Sequence, residues 1–191
     1  MSYASSADAS EPSSMRGRLL SEQRSPAVTL SERSLISLAL VRLFFGFLWF
    51  QQLGWKMPPD FAGLRPDVVR EAQYTILPGY SNIIQHVFLT HFLLLGACLW
   101  TAELLVSLSL LFGLFTRLGA LLALLLSAQL YVGIAYARGE WYWAYGMLLM
   151  LSLCFVALPA GRRLGVDQAL RPWLAARAQS HRLARLLVWA C

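Results

Sequence analysis

Charge is scarce in this chain. Asp, Glu, Lys and Arg make up 14% of its 191 residues, where a soluble domain carries about 25%. Hydrophobic residues make up 58% and mean hydropathy is +0.55. That balance excludes an ordinary soluble domain and points to an integral membrane protein. There are three cysteines, Cys98, Cys154 and Cys191, with no CxxC. This gives no basis for a disulfide scaffold, an iron–sulfur site or a dithiol redox pair; the two within apolar segments read as small buried residues. No phosphate-binding loop, Ser–His or carboxylate–His hydrolase spacing, or haem motif is present. His86 and His91 stand five apart, so one helix face does not present both to a metal. Neither metal nor haem is expected.

The formal net charge is +6. Most of the excess is Arg flanking apolar runs, where it sets topology and does not imply nucleic acid. Residues 1–33 are Ser-rich and mixed in charge, without the apolar core of a signal peptide. They read as a disordered cytoplasmic tail.

Four apolar runs are present: Ser34–Leu53, His86–Phe112, Thr116–Ala137 and Trp141–Pro159. Each is long enough to cross about 30 Å of hydrocarbon as a helix, and irregular backbone cannot face lipid. The expected fold is all-α, a polytopic four-helix transmembrane bundle over residues 34–160. With the N-terminus cytoplasmic, eleven Arg fall on that side and four Lys or Arg on the other. This predicts cytoplasmic N- and C-termini. Residues 54–85 form a long external loop, which reads equally as a lid or a connector. Residues 161–191 read as a basic tail. Leu183, Leu186, Leu187 and Ala190 keep helical spacing beside Arg177, Arg182 and Arg185, as in an amphipathic helix on the inner leaflet or on a partner subunit.

Two charges fall inside these runs. Arg42 lies about 12 Å from one end of the first helix and Glu103 about 13–14 Å from the same side along the second. A charge in lipid costs about 3 kcal/mol on insertion scales, so such groups face the bundle interior and find partners. The matching depths predict a buried Arg42–Glu103 ion pair, either as a helix clamp or beside a ligand pocket. Arg42, Trp49 and Lys56 share a face of helix 1; Gly96, Trp100, Glu103 and Ser107 share one on helix 2. Gln129, Gly133 and Tyr136 do so on helix 3, and Trp143, Met147, Met150 and Cys154 on helix 4. Gln52, Trp55, Lys56, His86, His91, Arg138, Glu140 and the aromatics from Tyr136 to Trp143 form an external rim. The rings read either as an interfacial belt or as walls for a quinone head group. The cations beside them suit a small anion.

Taken in order, these segments resemble the DoxX/DoxD family of small four-helix membrane proteins. The likeness covers residues 34–172. It rests on Leu40-Val41-Arg42-Leu43 leading through Gly46 to Gly54-Trp55-Lys56, then Glu103, then Gly113-Leu114-Phe115-Thr116-Arg117-Leu118-Gly119. Glu140-Trp141-Tyr142-Trp143 and Leu164-Gly165-Val166-Asp167 complete it and are more similar to DoxD. The resemblance implies a membrane subunit of thiosulfate:quinone oxidoreductase, which oxidises thiosulfate to tetrathionate with quinone as acceptor. It also implies a second small subunit. On that reading Arg42 and Glu103 are the catalytic candidates, organising the interior and relaying a proton. Lys56 and Arg138, with Trp55 and Gln52, receive the sulfur oxyanion, and Trp49, Trp100 and Trp143 border the quinone. The rival expectation is a non-catalytic scaffold within a larger redox or photosynthetic membrane complex. Lipid is a partner on either reading, and self-association stays open.

Overall fold

The computed structural model describes residues 31–178 and 187–191. The tail expected over 1–33 therefore falls almost wholly outside the described residues, as do Arg182, Leu183, Arg185 and Leu186 of the expected amphipathic helix. Among the described residues the chain is all-helical. The elements are α1 (Glu32–Leu53), a 3-10 turn (Gly54–Lys56), α2 (Leu64–Tyr74) and α3 (Tyr80–Ile83), which runs into a π-turn (Ile84–Phe88). Then come α4 (Phe92–Phe112), α5 (Thr116–Gly133), α6 (Tyr142–Ala157), a second 3-10 turn (Ala160–Arg162) and α7 (Asp167–Arg177).

Three helical stretches are long and apolar enough to cross a membrane: Glu32–Lys56, Phe92–Phe112 and Thr116–Gly133. The fourth apolar helix, α6, has 16 residues, about 24 Å of rise against a core of about 30 Å. The second run is also shorter than the sequence indicates. His86 sits in the π-turn and α4 begins only at Phe92, after the backbone leaves helical geometry at His91. Outward faces are apolar, with Leu40, Phe44, Phe47, Leu94, Leu105, Phe112 and Leu125 exposed. Such a surface is stable against lipid and not against water.

α1 packs on α4, α4 on α5, and α5 on α6. Phe45, Val106, Leu110, Ala120, Ala123 and Phe155 form the shared core with Trp49. α1 and α4 run antiparallel: Trp100 Nε1 donates to the Leu53 carbonyl, 3.4 Å, while Gly46 lies against Leu110 and Leu111. A Cβ on Gly46 would sit 2.9 Å from the Leu111 nitrogen, so the small residue sets the closest approach of the two helices. α5 and α6 meet at Ala120 and Ala123 and at a buried Ser127–Ser152 hydroxyl contact of 3.3 Å.

The first long loop is not a bare connector. α2 is amphipathic and places Leu64, Val68, Glu71 and Ala72 inward. Leu64, Val68 and Ala72 form a second core with Phe61, Ile84 and Phe92. α2 reaches α5, where a Cβ on Gly133 would lie 3.0 Å from the Glu71 carboxyl carbon. The loop thus folds over one end of the bundle, hereafter the Lys56 end.

The opposite end is tied by the segment after α6. Val166 and Asp167 donate backbone N–H groups to the Phe112 and Gly113 carbonyls, 3.0 and 2.8 Å, closing the end of α4. The Asp167 carboxylate, 1% exposed, accepts from Phe115 N at 2.7 Å, Thr116 N at 2.9 Å and Thr116 Oγ1 at 2.7 Å. It therefore caps α5 from fifty residues away, satisfying donors that a helix start leaves open. Arg117 meets Trp189 through its ring and carbonyl, and Ala190 and Cys191 are buried. The last described residues thus rest on their own bundle. Cys98 and Cys154 face outward, contrary to the buried placement read from sequence.

Candidate functional site

A cavity of about 630 Å³ opens between the spans beneath α2. α1 contributes Leu48, Trp49 and Gln52, and Trp55 and Lys56 follow in the adjoining turn. α2 supplies Asp67, Val68, Arg70 and Glu71, α4 supplies Leu99 and Glu103, α5 supplies Leu126, Gln129 and Leu130, and α6 supplies Tyr145 and Leu148. Leu64, Tyr80, Phe88, Ile134 and Glu140 complete the wall.

The charged groups, with the neutral side chains bound to them, fall into three sets. Lys56 and Glu103 form a buried ion pair through Nζ and Oε1, with the residues 5% and 2% exposed. Gln129 Nε2 donates to both Glu71 oxygens at 2.8 Å and lies 3.2 Å from the Tyr80 hydroxyl. Arg70 pairs with Glu140 at 2.9 Å and Asp67 at 3.5 Å, and Tyr145 donates to Glu140 at 2.7 Å. Four carboxyl groups and two cations thus border one cavity, among apolar walls.

Glu71 is the carboxyl without an ion-pair partner. Burial pushes it up to about 7, helped by nearby Asp67, against the hydrogen bond from Gln129 and the charge of Lys56. Its folded value lies above the unfolded one. The folded chain therefore holds this proton more tightly, and stability is lost as pH rises from about 4.5 to about 7. The thermal midpoint of the purified chain should fall across this window, and Glu71→Gln should flatten that fall. An unchanged slope in the variant would show that Glu71 is solvated.

The Arg42–Glu103 ion pair expected from depth is not formed. Arg42, fully buried, donates from Nη1 to the Ala160 carbonyl at 3.1 Å and from Nη2 to the Leu164 carbonyl at 2.7 Å. The reason is directional. Side chains on a helix tilt toward its N-terminus. On antiparallel helices Arg42 therefore leans to one end and Glu103 to the other, where Lys56 reaches it.

Of the sequence candidates, Glu103, Lys56, Trp55, Gln52 and Trp49 come together at the cavity. Arg42 lies at the opposite end of the bundle, where its guanidinium packs against Gly113 and Gly165. Gly113 adopts φ +62, and a Cβ there would sit 2.3 Å from Arg42 Nη1, so glycine is required twice over. Trp100 is half-buried behind the wall and Arg138 is exposed. Trp143 is half-exposed beside Trp141. The helix 4 face read as inward, Trp143–Met147–Met150–Cys154, is the exposed one; Tyr145, Leu148, Ser152 and Phe155 turn inward instead. Tyr136, too, is exposed, stacked on Tyr142 at 6.0 Å.

Sequence reasoning missed Glu71, Arg70, Tyr80 and Tyr145 as members of one site, and read Glu140 only as part of the external rim. A signal for Glu71 existed: Leu64, Val68 and Glu71 fall on one stripe of α2. Among the described residues no group of three His, Cys, Asp or Glu is placed to hold a metal. No protein-family model, curated protein or solved structure matches the chain.

Proposed function

We propose that the chain is a four-span membrane subunit of a quinone-linked oxidoreductase, with both termini in the cytoplasm of a prokaryotic cell. α6 completes the fourth crossing with its flanking Trp141 and Leu158. By resemblance to DoxX/DoxD, the donor is thiosulfate. Two thiosulfate ions each lose one electron and join through a new sulfur–sulfur bond as tetrathionate. The quinone takes the two electrons and two protons to become quinol.

One observation carries this reading: the 630 Å³ cavity bordered by both apolar spans and buried polar groups. Small-molecule sites fall at about 300–1,000 Å³, mostly apolar with a few placed polar groups. Leu48, Leu99, Leu126 and Leu148 suit a lipid-soluble ring, and Gln52, Lys56 and Trp49 are polar or aromatic residues of the same lining. Glu71 and Glu103 stand beside the same space as proton-handling groups. α2 limits entry of water from the Lys56 end.

Lys56 is held by Glu103, and Arg138 stands exposed and apart from the cavity. The oxyanion cup expected from these two cations therefore has no support in the geometry. That favours a second reading, in which the chain is a non-catalytic accessory subunit of a larger redox or photosynthetic complex. A partner would then carry the donor chemistry.

The deciding experiment is thiosulfate-dependent reduction of a soluble quinone by the purified chain, with Glu103→Gln as control. Activity lost in the folded variant would establish the oxidoreductase. Inactive, folded wild-type chain that gains activity only with copurifying proteins would establish the accessory role. Inactivity in both preparations would refute the thiosulfate reading.

A further inference from the structure

A second cavity, of about 550 Å³, lies where the first loop meets the start of α4. It shares no residue with the first. Asp60 lines it from the loop and Arg65 from α2, Thr90 and His91 from the break before α4, and Leu93 and Leu94 from the first turn of α4. All six are exposed, so a ligand can reach each of them. Leu93 and Leu94 open a span apolar enough to cross a membrane, and exposed leucines there face hydrocarbon. The four polar residues stand just beyond the spans, Thr90 and His91 before Phe92, Asp60 and Arg65 after Lys56. The cavity therefore lies at the boundary between acyl chains and head groups.

The cavity holds one cation and one carboxylate, and neither is neutralised. Among the described residues Arg65 and Asp60 form no ion pair, with each other or with any other group. Asp60 accepts only the Ala62 N–H, at 3.3 Å through Oδ1. The Arg65 guanidinium lies over the Phe92 ring, 5.6 Å from its centroid. Phe92 belongs to the second core, so the cation rests on a fixed platform, and its N–H donors meet no acceptor among the described residues. A fitting ligand presents an anion to Arg65, with the Thr90 hydroxyl and His91 imidazole as further polar contacts. It presents a cation bearing N–H donors to Asp60, and apolar chains to Leu93 and Leu94. Arg pairs with phosphate through two parallel bonds. We propose that this cavity binds a zwitterionic phospholipid whose head group ends in a primary ammonium. A head group without an ammonium leaves Asp60 facing only the phosphate charge, and a quaternary ammonium brings charge but no N–H. The proposal goes beyond the oxidoreductase reading and does not depend on it; it rests on the membrane assignment of the spans.

The test is native mass spectrometry of the full chain in detergent with three phospholipids of identical acyl chains: phosphatidylethanolamine, phosphatidylcholine and phosphatidylglycerol. Phosphatidylethanolamine should be retained about fivefold over either of the others, the effect of one exposed charge-assisted contact. Asp60→Asn should bring it down to the phosphatidylcholine level, and Arg65→Gln should weaken all three. Both side chains are exposed, and an unchanged thermal midpoint confirms that each variant is folded. The wild-type lipid series decides the matter without any variant. Equal retention of the three lipids, or a preference for phosphatidylglycerol, overturns the proposal. A preference that survives Asp60→Asn in folded protein overturns it as well, because the selectivity then arises elsewhere. Soluble glycerophosphoethanolamine should compete poorly; displacement of the lipid at equal concentration would make the ligand a free phosphoamine and overturn the lipid assignment. None of these outcomes bears on the quinone reading.

Discussion

Lys56→Met alone should destabilise the chain by about 3–5 kcal/mol, and Lys56→Met with Glu103→Leu should cost much less. The two residues are buried and bound to each other. A buried pair contributes little net stability, because desolvation offsets the attraction, but removing one partner strands the other's charge. The single variants should also differ. Lys56 closes the 3-10 turn at the end of α1, so without Glu103 its long stem can swing toward water. Glu103 sits eleven residues into α4 on a short side chain and has no such escape. Glu103→Leu should therefore be the milder single change. Reversible denaturant unfolding of all four species in one detergent gives the coupling energy. A double variant as unstable as the sum of the singles would mean that the pair contributes nothing as a pair.

The second large effect is expected at Asp167. One carboxylate accepts three hydrogen bonds across the α4–α5 turn, and Phe115 there holds a left-handed backbone, φ 48. Removing it opens two backbone donors at the start of α5 and leaves the Thr116 hydroxyl, 1% exposed, without its acceptor. At about 1–2 kcal/mol per capping bond and more for bonds to a charged group, Asp167→Ala should cost about 3 kcal/mol. Asp167→Asn keeps the shape and one acceptor oxygen, so it should recover part of the loss. Unfolding of the two variants beside wild type checks this order. If Asn and Ala are equally damaging, charge and not acceptor geometry holds the turn. If both are harmless, solvent caps α5.

How much of this was legible in the sequence varied with the physical signal. Long apolar runs need no partner to be recognised, so α1, α4 and α5 were readable, as was the burial of Arg42 and Glu103. Depth alone did not reveal whom those charges meet, because it ignores the opposite lean of side chains on antiparallel helices. The inward face of α6 was hidden for a different reason. A helix apolar on every side carries no stripe, and Trp, Met and Cys suit lipid as well as core. At the site, Lys56, Gln52, Trp49 and Glu103 were visible as polar or aromatic groups near one end of the spans. Arg70 was not, because a loop's tertiary position decides its role, and the α2 stripe that includes Glu71 marks an inward face without saying which groups it meets. The exit motif Leu164-Gly165-Val166-Asp167 was visible as a pattern, while its work as a cap depends on a contact fifty residues back.

The Arg42 clasp also sets an order of events during synthesis. Its two acceptors lie 118 and 122 residues downstream. At about 5–20 residues per second, the ribosome needs roughly 6–24 s to deliver them. The Arg42 guanidinium is therefore made well before either carbonyl that receives it, and α4, α5 and α6 are all synthesised in the interval. A chain that ends before Ala160 lacks both acceptors, so its Arg42 stays without the contacts that bury it in the finished fold.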